Sequence, residues 1–245
     1  MTHEQLRPPR ALFSRGQLFE EAADYVRELI VSGHLRPGER VKPEHVAERL
    51  GISTTPMREA LHALAGEGFL RLEPRRGFTV ARLTTTDIRD VYLALSLLAG
   101  ELAARAAERL GDDDLDELGR IQAEIESEAA RHDPELVEWL NHAFHRRINL
   151  AADAPKIAVQ VRTLGRYAPR RFFGSVKGWP GASMHDHGAL IDALRARDAD
   201  GAREAMRAHI AHAGDLLARF LEDRLAAEPG AGAEPTAGAA VTPAS

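Results

Sequence analysis

The reading of the chain turns on Val41 to Val80, VKPEHVAERLGISTTPMREALHALAGEGFLRLEPRRGFTV. Two short helical patterns flank a tight Gly51-Ile52-Ser53 turn, and a strand, a Pro-Arg-Arg-Gly turn and a second strand follow. That order spells a helix-turn-helix with a β-hairpin wing, which presents one helix to a groove of DNA. Pro43 suits a first helical turn, where its missing N–H costs nothing. Val46, Ala47 and Leu50 face inward, and Gly51 follows as a left-handed stop. Ser53 is placed to cap the next helix, with Thr54, Thr55 and Pro56 in its first turn. Met57, Ala60, Leu61 and Leu64 form its buried stripe. Thr54, Thr55, Arg58 and His62 fall largely off that stripe, near the end that meets bases. Gly66 and Gly68 end the helix. Phe69, Leu70 and Leu72 make the first wing strand, and Phe78 and Val80 the second. Arg75 and Arg76 at the tip suit phosphates or a minor groove, and Lys42 joins them as a candidate DNA contact. Spacing alone also allows a solvated helix pair whose arginines meet only water.

Working outward, Leu18 to Ser32 repeats apolar residues at Leu18, Ala22, Val26, Leu29 and Ile30, a helix that Gly33 ends. Leu35-Arg36-Pro37-Gly38 reads as a turn. Residues 1–17 are polar, carry Pro8-Pro9, Arg7, Arg10 and Arg15, and read as a disordered arm. Downstream, Ala81 to Thr86 is a linker, and Thr86 or Asp87 caps a new helix. Helical patterns then run over Ile88–Leu110, Asp114–Arg131, Pro134–Ala152, Lys156–Phe173, Ser183–Arg197 and Asp200–Leu225. The expected fold is mainly α. A winged helix-turn-helix spans residues 18–82, and an all-helical antiparallel bundle of about six helices spans 83–226. Residues 227–245, almost all Ala, Gly, Pro, Glu and Thr, read as a disordered tail.

A chain of 245 residues is long enough for two cores. Aromatics are only 5%, so those cores rest on aliphatic side chains, which suits packed helices. Cysteine is absent, which excludes disulfides and thiolate metal sites and fits a reducing, cytoplasmic setting. No signal peptide and no apolar run of about 18 residues is present, so a membrane span is not expected. Residues 1–80 hold 12 Lys and Arg against 11 Asp and Glu, and the remainder holds 20 against 26. A near-neutral head binds DNA if its basic groups share one face.

Resemblance adds to this reading. Ser32–Val41 (SGHLRPGERV), Ala47–Leu61 (AERLGISTTPMREAL) and Glu67–Val80 (EGFLRLEPRRGFTV) resemble the GntR family of bacterial transcription regulators. The resemblance implies that Arg58, in the P-x-R-E-A-L motif, contacts DNA and that Gly77 is the wing glycine. The family often has Arg where Thr54 stands.

The helical region holds spaced histidines. Asn141 and His145 share a helix face, whereas His142 is turned about 100° away. His187 and His209 lie in the last two helices, with His185 and His212 near them. On spacing alone such histidines are more often ordinary core or surface residues. However, Thr84–Leu95 (TTTDIRDVYLAL), Asn141–Ile148, His187–Asp198 and Met206–Ile210 resemble the FCD ligand-binding domain of the FadR-type branch. That group commonly holds a divalent metal with one Asp and three His. The matching positions are Asn141, His145, His187 and His209, with Asn in place of Asp. Three imidazoles favour Zn²⁺ or Ni²⁺. The effector implied is a small molecule, often a carboxylate. Tyr92 is kept from the family's Y-x-x-R pattern, but its Arg is Leu95 here, and Ala99 replaces a common Glu. Arg162 and Arg166 are candidate replacement cations, or solvent-facing charges.

The expected function is a cytoplasmic, homodimeric DNA-binding regulator, a repressor or an activator, acting at a pseudo-palindromic operator under control of a metabolite. A metal-dependent hydrolase using the three histidines is the alternative. It lacks a general base at a motif spacing and leaves the DNA head unexplained. A sequence-indifferent nucleoid or scaffold protein is a third reading.

Overall fold

The computed structural model describes residues 15–169, 172 and 179–227. The N-terminal unit runs α1 (Arg15–Val31), β1 (Arg40–Val41), α2 (Pro43–Leu50), α3 (Thr54–Gly66), β2 (Leu70–Glu73) and β3 (Gly77–Val80). Helix α1 starts at Arg15, so the last three residues of the expected disordered arm are helical; the rest of that arm lies outside the described residues. Pro43 opens α2, and Gly51 closes it at φ 61° and ψ 38°, its N–H bonded to the carbonyls of Ala47 and Glu48. Ser53 takes the extended N-cap conformation, but its hydroxyl makes no capping bond. The stripe of α3 is buried as its spacing predicts: Met57, Ala60, Leu61 and Leu64 pack with Val26, Ile30, Phe69 and Phe78. β1 was not anticipated, because two residues carry no readable alternation. It pairs Arg40 with Thr79 and Val41 with Phe78, giving a three-stranded sheet of order β1-β3-β2.

Six helices follow among the described residues: α4 (Thr85–Ala107), α5 (Asp112–Arg131), α6 (Pro134–Ala151), α7 (Pro155–Leu164), α8 (Trp179–Arg195) and α9 (Ala199–Ala227). The cap of α4 is Thr84, two residues before Thr86. Its hydroxyl accepts from the Asp87 N–H while Asp87 accepts from the Thr84 N–H, a reciprocal box. The expected helix Lys156–Phe173 stops at Leu164. A single 3-10 turn covers Gly165–Tyr167, and Ala168 is extended, as a residue before a proline is driven to be. Phe173 itself, like the tail beyond Ala227, lies outside the described residues. The long α4 and α9 pack closely along their length. Gly214 permits this, since a Cβ there would stand 2.5 Å from the Tyr92 Cβ. Leu118, Phe144, Ile148, Leu190, Leu194 and Met206 fill the bundle centre. No described helix is long and apolar enough to cross a membrane.

The two units meet around Glu67, just past α3. Its carboxylate accepts from Arg27 of α1 at 2.8 Å and from Arg166 of the bundle at 3.4 Å. Its carbonyl accepts from the Tyr167 hydroxyl at 2.5 Å, and the Tyr167 ring lies 4.4 Å from that of Phe69. Farther along, Arg224 of α9 donates to the Val31 carbonyl at 2.6 Å.

Candidate functional site

One face of α3 packs and the other does not. Thr54, Thr55, Arg58 and His62 are exposed, and so are Lys42 at the mouth of α2 and Arg75 and Arg76 at the wing tip. Arg75 and Gly77 hold positive φ angles of 63° and 77°, which fold the hairpin back on itself. The His62 ring stands edge-on to Phe78 at 4.9 Å, tying the exposed face of α3 to the wing. Arg58 donates to Glu44 at 2.7 Å, with both side chains more than half exposed. An exposed pair of this kind is worth at most about 1 kcal/mol, so a phosphate or guanine can replace Glu44 cheaply.

The bundle brings three histidines together from three helices. His145 of α6, His187 of α8 and His209 of α9 each place a ring nitrogen within 4.8 Å of the others. The Nε2 atoms of His145 and His209 are 3.2 Å apart. Two ligands at metal–nitrogen bonds of about 2.0–2.1 Å stand roughly 2.9–3.4 Å apart, depending on geometry. His187 and His209 are 0% and 2% exposed. Burial pushes the His145 and His187 imidazoles well below the ordinary histidine range, and the neighbouring His209 adds to it. Both rings are therefore neutral, with lone pairs to offer. Asn141, one turn before His145, has its Oδ1 buried with no hydrogen-bond partner. Three clustered imidazoles and an unsatisfied amide oxygen fit a divalent cation.

Behind two of the rings stand residues that the sequence did not flag. His187 Nδ1–H donates to Gln122 Oε1 at 2.8 Å, and Gln122 in turn donates to Glu126 at 3.0 Å. This fixes the tautomer and turns the Nε2 lone pair, which the Ser183 hydroxyl approaches at 3.5 Å, toward the centre. Asp186 lies 3.5 Å from His209 Nδ1 and 2.9 Å from His212 Nδ1. Burial alone would raise the Asp186 carboxyl, but its bonds with His209 and His212 outweigh that and hold it below the usual range. By contrast, His142 is largely exposed and pairs with Glu138 at 3.3 Å, away from the centre as its rotation on the helix requires.

Asn141, His145 and His209 open on a cavity of about 670 Å³. Tyr92, Leu95 and Ala99 of α4 form an apolar wall, and Arg162 and Arg166 also line it. Burial raises the Tyr92 hydroxyl, and Glu138 adds to the effect, so it remains a proton donor. Arg162 is exposed, and Arg166 is half-buried and engaged with Glu67. Arg27 and Glu28 of α1 complete the lining from the side of the N-terminal unit.

Comparison with known proteins agrees with this layout. Residues 18–80 match the model of bacterial regulatory proteins of the gntR family, and residues 90–212 match that of the FCD domain. This chain is a GntR-family transcription regulator. It is 30% identical over 243 residues to the putative L-lactate dehydrogenase operon regulatory protein of Escherichia coli (strain K12), covering 85% of this chain and 89% of that protein. It is 26% identical over 211 residues to the uncharacterized HTH-type regulator YdhC of Bacillus subtilis (strain 168), covering 81% and 90%. The solved structure of E. coli McbR/YncC superimposes with a TM-score of 0.66 at 23% identity, covering 84% of this chain and 98% of that one. GntR relatives are transcription regulators and not enzymes, which removes the hydrolase reading of the histidines. In this GntR protein the FCD match contains every histidine of the centre, together with Asn141, Gln122 and Asp186.

Proposed function

We propose that this GntR regulator is a cytoplasmic homodimer that binds a pseudo-palindromic operator and represses under the control of a small carboxylate. Thr54, Thr55, Arg58 and His62 read base edges, while Lys42, Arg75, Arg76 and the Gly77 backbone hold phosphates. The reading of α3 rests on its exposed polar face beside the wing. His145, His187 and His209, with Asn141, would hold a Zn²⁺ or Ni²⁺ ion. When bound, such an ion offers a fixed positive charge and free coordination positions to a carboxylate. Tyr92 donates its hydroxyl proton to that ligand, and Arg162 and Arg166 supply the cation that Leu95 cannot. Leu93 and Leu97, four residues apart and exposed on α4, supply an apolar strip for a second copy.

The observation that carries control by a metabolite is that one cavity touches the histidine centre and α1 of the DNA head alike. Arg166 lines this cavity and also holds Glu67, so a ligand that engages Arg166 is felt at the end of α3. The test is selection of binding sites from random duplex DNA by the full-length protein, with and without Zn²⁺, repeated in citrate or L-malate. Enrichment of inverted half-sites is expected, with affinity moving about 5- to 150-fold, a coupling of roughly 1–3 kcal/mol, in one of the carboxylates. Enrichment that no carboxylate changes overturns the metabolite reading; no enrichment at all overturns the operator reading.

A further inference from the structure

Among the described residues, His145, His187 and His209 are grouped with no carboxylate. Asn141 is neutral, and so are His145, His187 and His209 when they present lone pairs. A divalent ion there would bring its full charge into a site where His187 and His209 are buried. Among the described residues, the carboxylate placed against a histidine of the centre is that of Asp186, whose side chain is only 10% exposed. It approaches His209 from the Nδ1 side at 3.5 Å, while His209 Nε2 faces His145 at 3.2 Å. His187, the other buried member, is backed instead by the neutral amide of Gln122. Glu126 stands one residue farther out, and Glu138 faces His142.

The geometry points to Asp186 as a positioning residue of the metal centre, which supplies through His209 the negative charge that Asn141 does not bring. A carboxylate on the far nitrogen holds the ring in the Nδ1–H tautomer, aims Nε2 at the ion and makes it a stronger donor. His212 shares the same Asp186 oxygen at 2.9 Å and competes for it. This inference rests on the metal reading above.

The test is a chelator-competition titration of Zn²⁺ into metal-free, full-length protein, with the absorption spectrum of the Co²⁺-loaded form recorded alongside. Asp186→Asn is expected to bind Zn²⁺ about 10- to 100-fold more weakly and to shift the Co²⁺ bands, with the metal-free melting temperature little changed. Asn141→Asp in the Asp186→Asn background is expected to recover most of the loss, because it returns a carboxylate to the centre. His212→Ala, which leaves Asp186 to His209 alone, is expected to bind Zn²⁺ at least as tightly as wild type. Asp186→Asn binding within twofold of wild type overturns the inference and leaves the metal reading intact. His212→Ala losing as much affinity as Asp186→Asn also overturns it, by showing that the trio acts on the fold. Wild-type protein that takes up no Zn²⁺ overturns both.

Discussion

On α3 the candidate DNA-contact side chains stand in water, with Arg58 57% exposed, whereas in the bundle His187 is fully buried. The two regions reach function from opposite sides of the folding balance. The exposed face adds little to stability, so a weak internal partner such as Glu44 can be exchanged for another at small cost. The histidine centre takes up interior volume with polar rings that need polar neighbours: Gln122 hydrogen-bonds His187, and the Asp186 carboxylate lies 3.5 Å from His209. A polar group in that position costs free energy if it is left unmet. Substitutions on the face are therefore expected to change binding more than stability, whereas an occupant of the centre would be linked to the integrity of the bundle.

The sharpest way to break this contrast is at the centre. His187→Ala removes a ligand and leaves Gln122 without its donor. After loading and desalting, metal content is expected to fall from about one ion per chain to near zero by elemental analysis. Full retention would show that any ion sits elsewhere. The next largest effect is on the buried side of α3. Leu61→Ala empties a fully buried position and is expected to cost about 2–5 kcal/mol in urea unfolding. A loss under about 1 kcal/mol would mean that the head's core repacks around the gap.

Three residues away on the same helix, Arg58→Ala is expected to leave unfolding within about 0.5 kcal/mol of wild type, since its partner Glu44 is exposed too. Operator binding should nevertheless weaken by about 1–3 kcal/mol if Arg58 reads a base. Gel-shift titration on a selected site checks this. A variant that binds as well as wild type would transfer recognition to Thr54, Thr55 and the wing.

The same contrast sets how much was legible in the sequence. In the head, Pro43, Gly51, the α3 stripe and the wing all lie within one forty-residue run, and local chemistry fixes each of them. What escaped there was β1, whose pairing with β3 is a long-range choice. In the bundle the helices were readable by period, but their ends were not: Thr84 rather than Thr86 caps α4, and Pro169 ends the region of α7 early. The histidines were visible as a list, with resemblance choosing among them. Gln122 and Asp186 were not, because a Gln in a polar helix and an Asp beside a His carry no pattern. Only the packing of α5 against α8 and of α8 against α9 reveals what they face. The Glu67 junction escaped for the same reason, since Arg166 lies 99 residues away.

The smallest effect expected is also the most direct measure of burial at the centre. In metal-free protein, His145 and His187 are held well below their ordinary value of 6.5 by burial and by His209. As pH falls past that value, the unfolded chain takes up protons that the folded chain refuses. The free energy these two residues add is thus fully present above about pH 6.5 and is lost as pH drops below it. The loss should grow as the pH is lowered to 5.5. Thermal melts of chelator-treated protein from pH 7.5 to 5.5 should therefore slope downward. The slope should flatten in His145→Gln/His187→Gln, whose side chains do not titrate. The exposed pair Arg58–Glu44 lends no such dependence, so Arg58→Ala should retrace the wild-type slope. Equal slopes in all three proteins would mean that water reaches the centre freely, and the difference between the two regions would then be one of position and not of solvation.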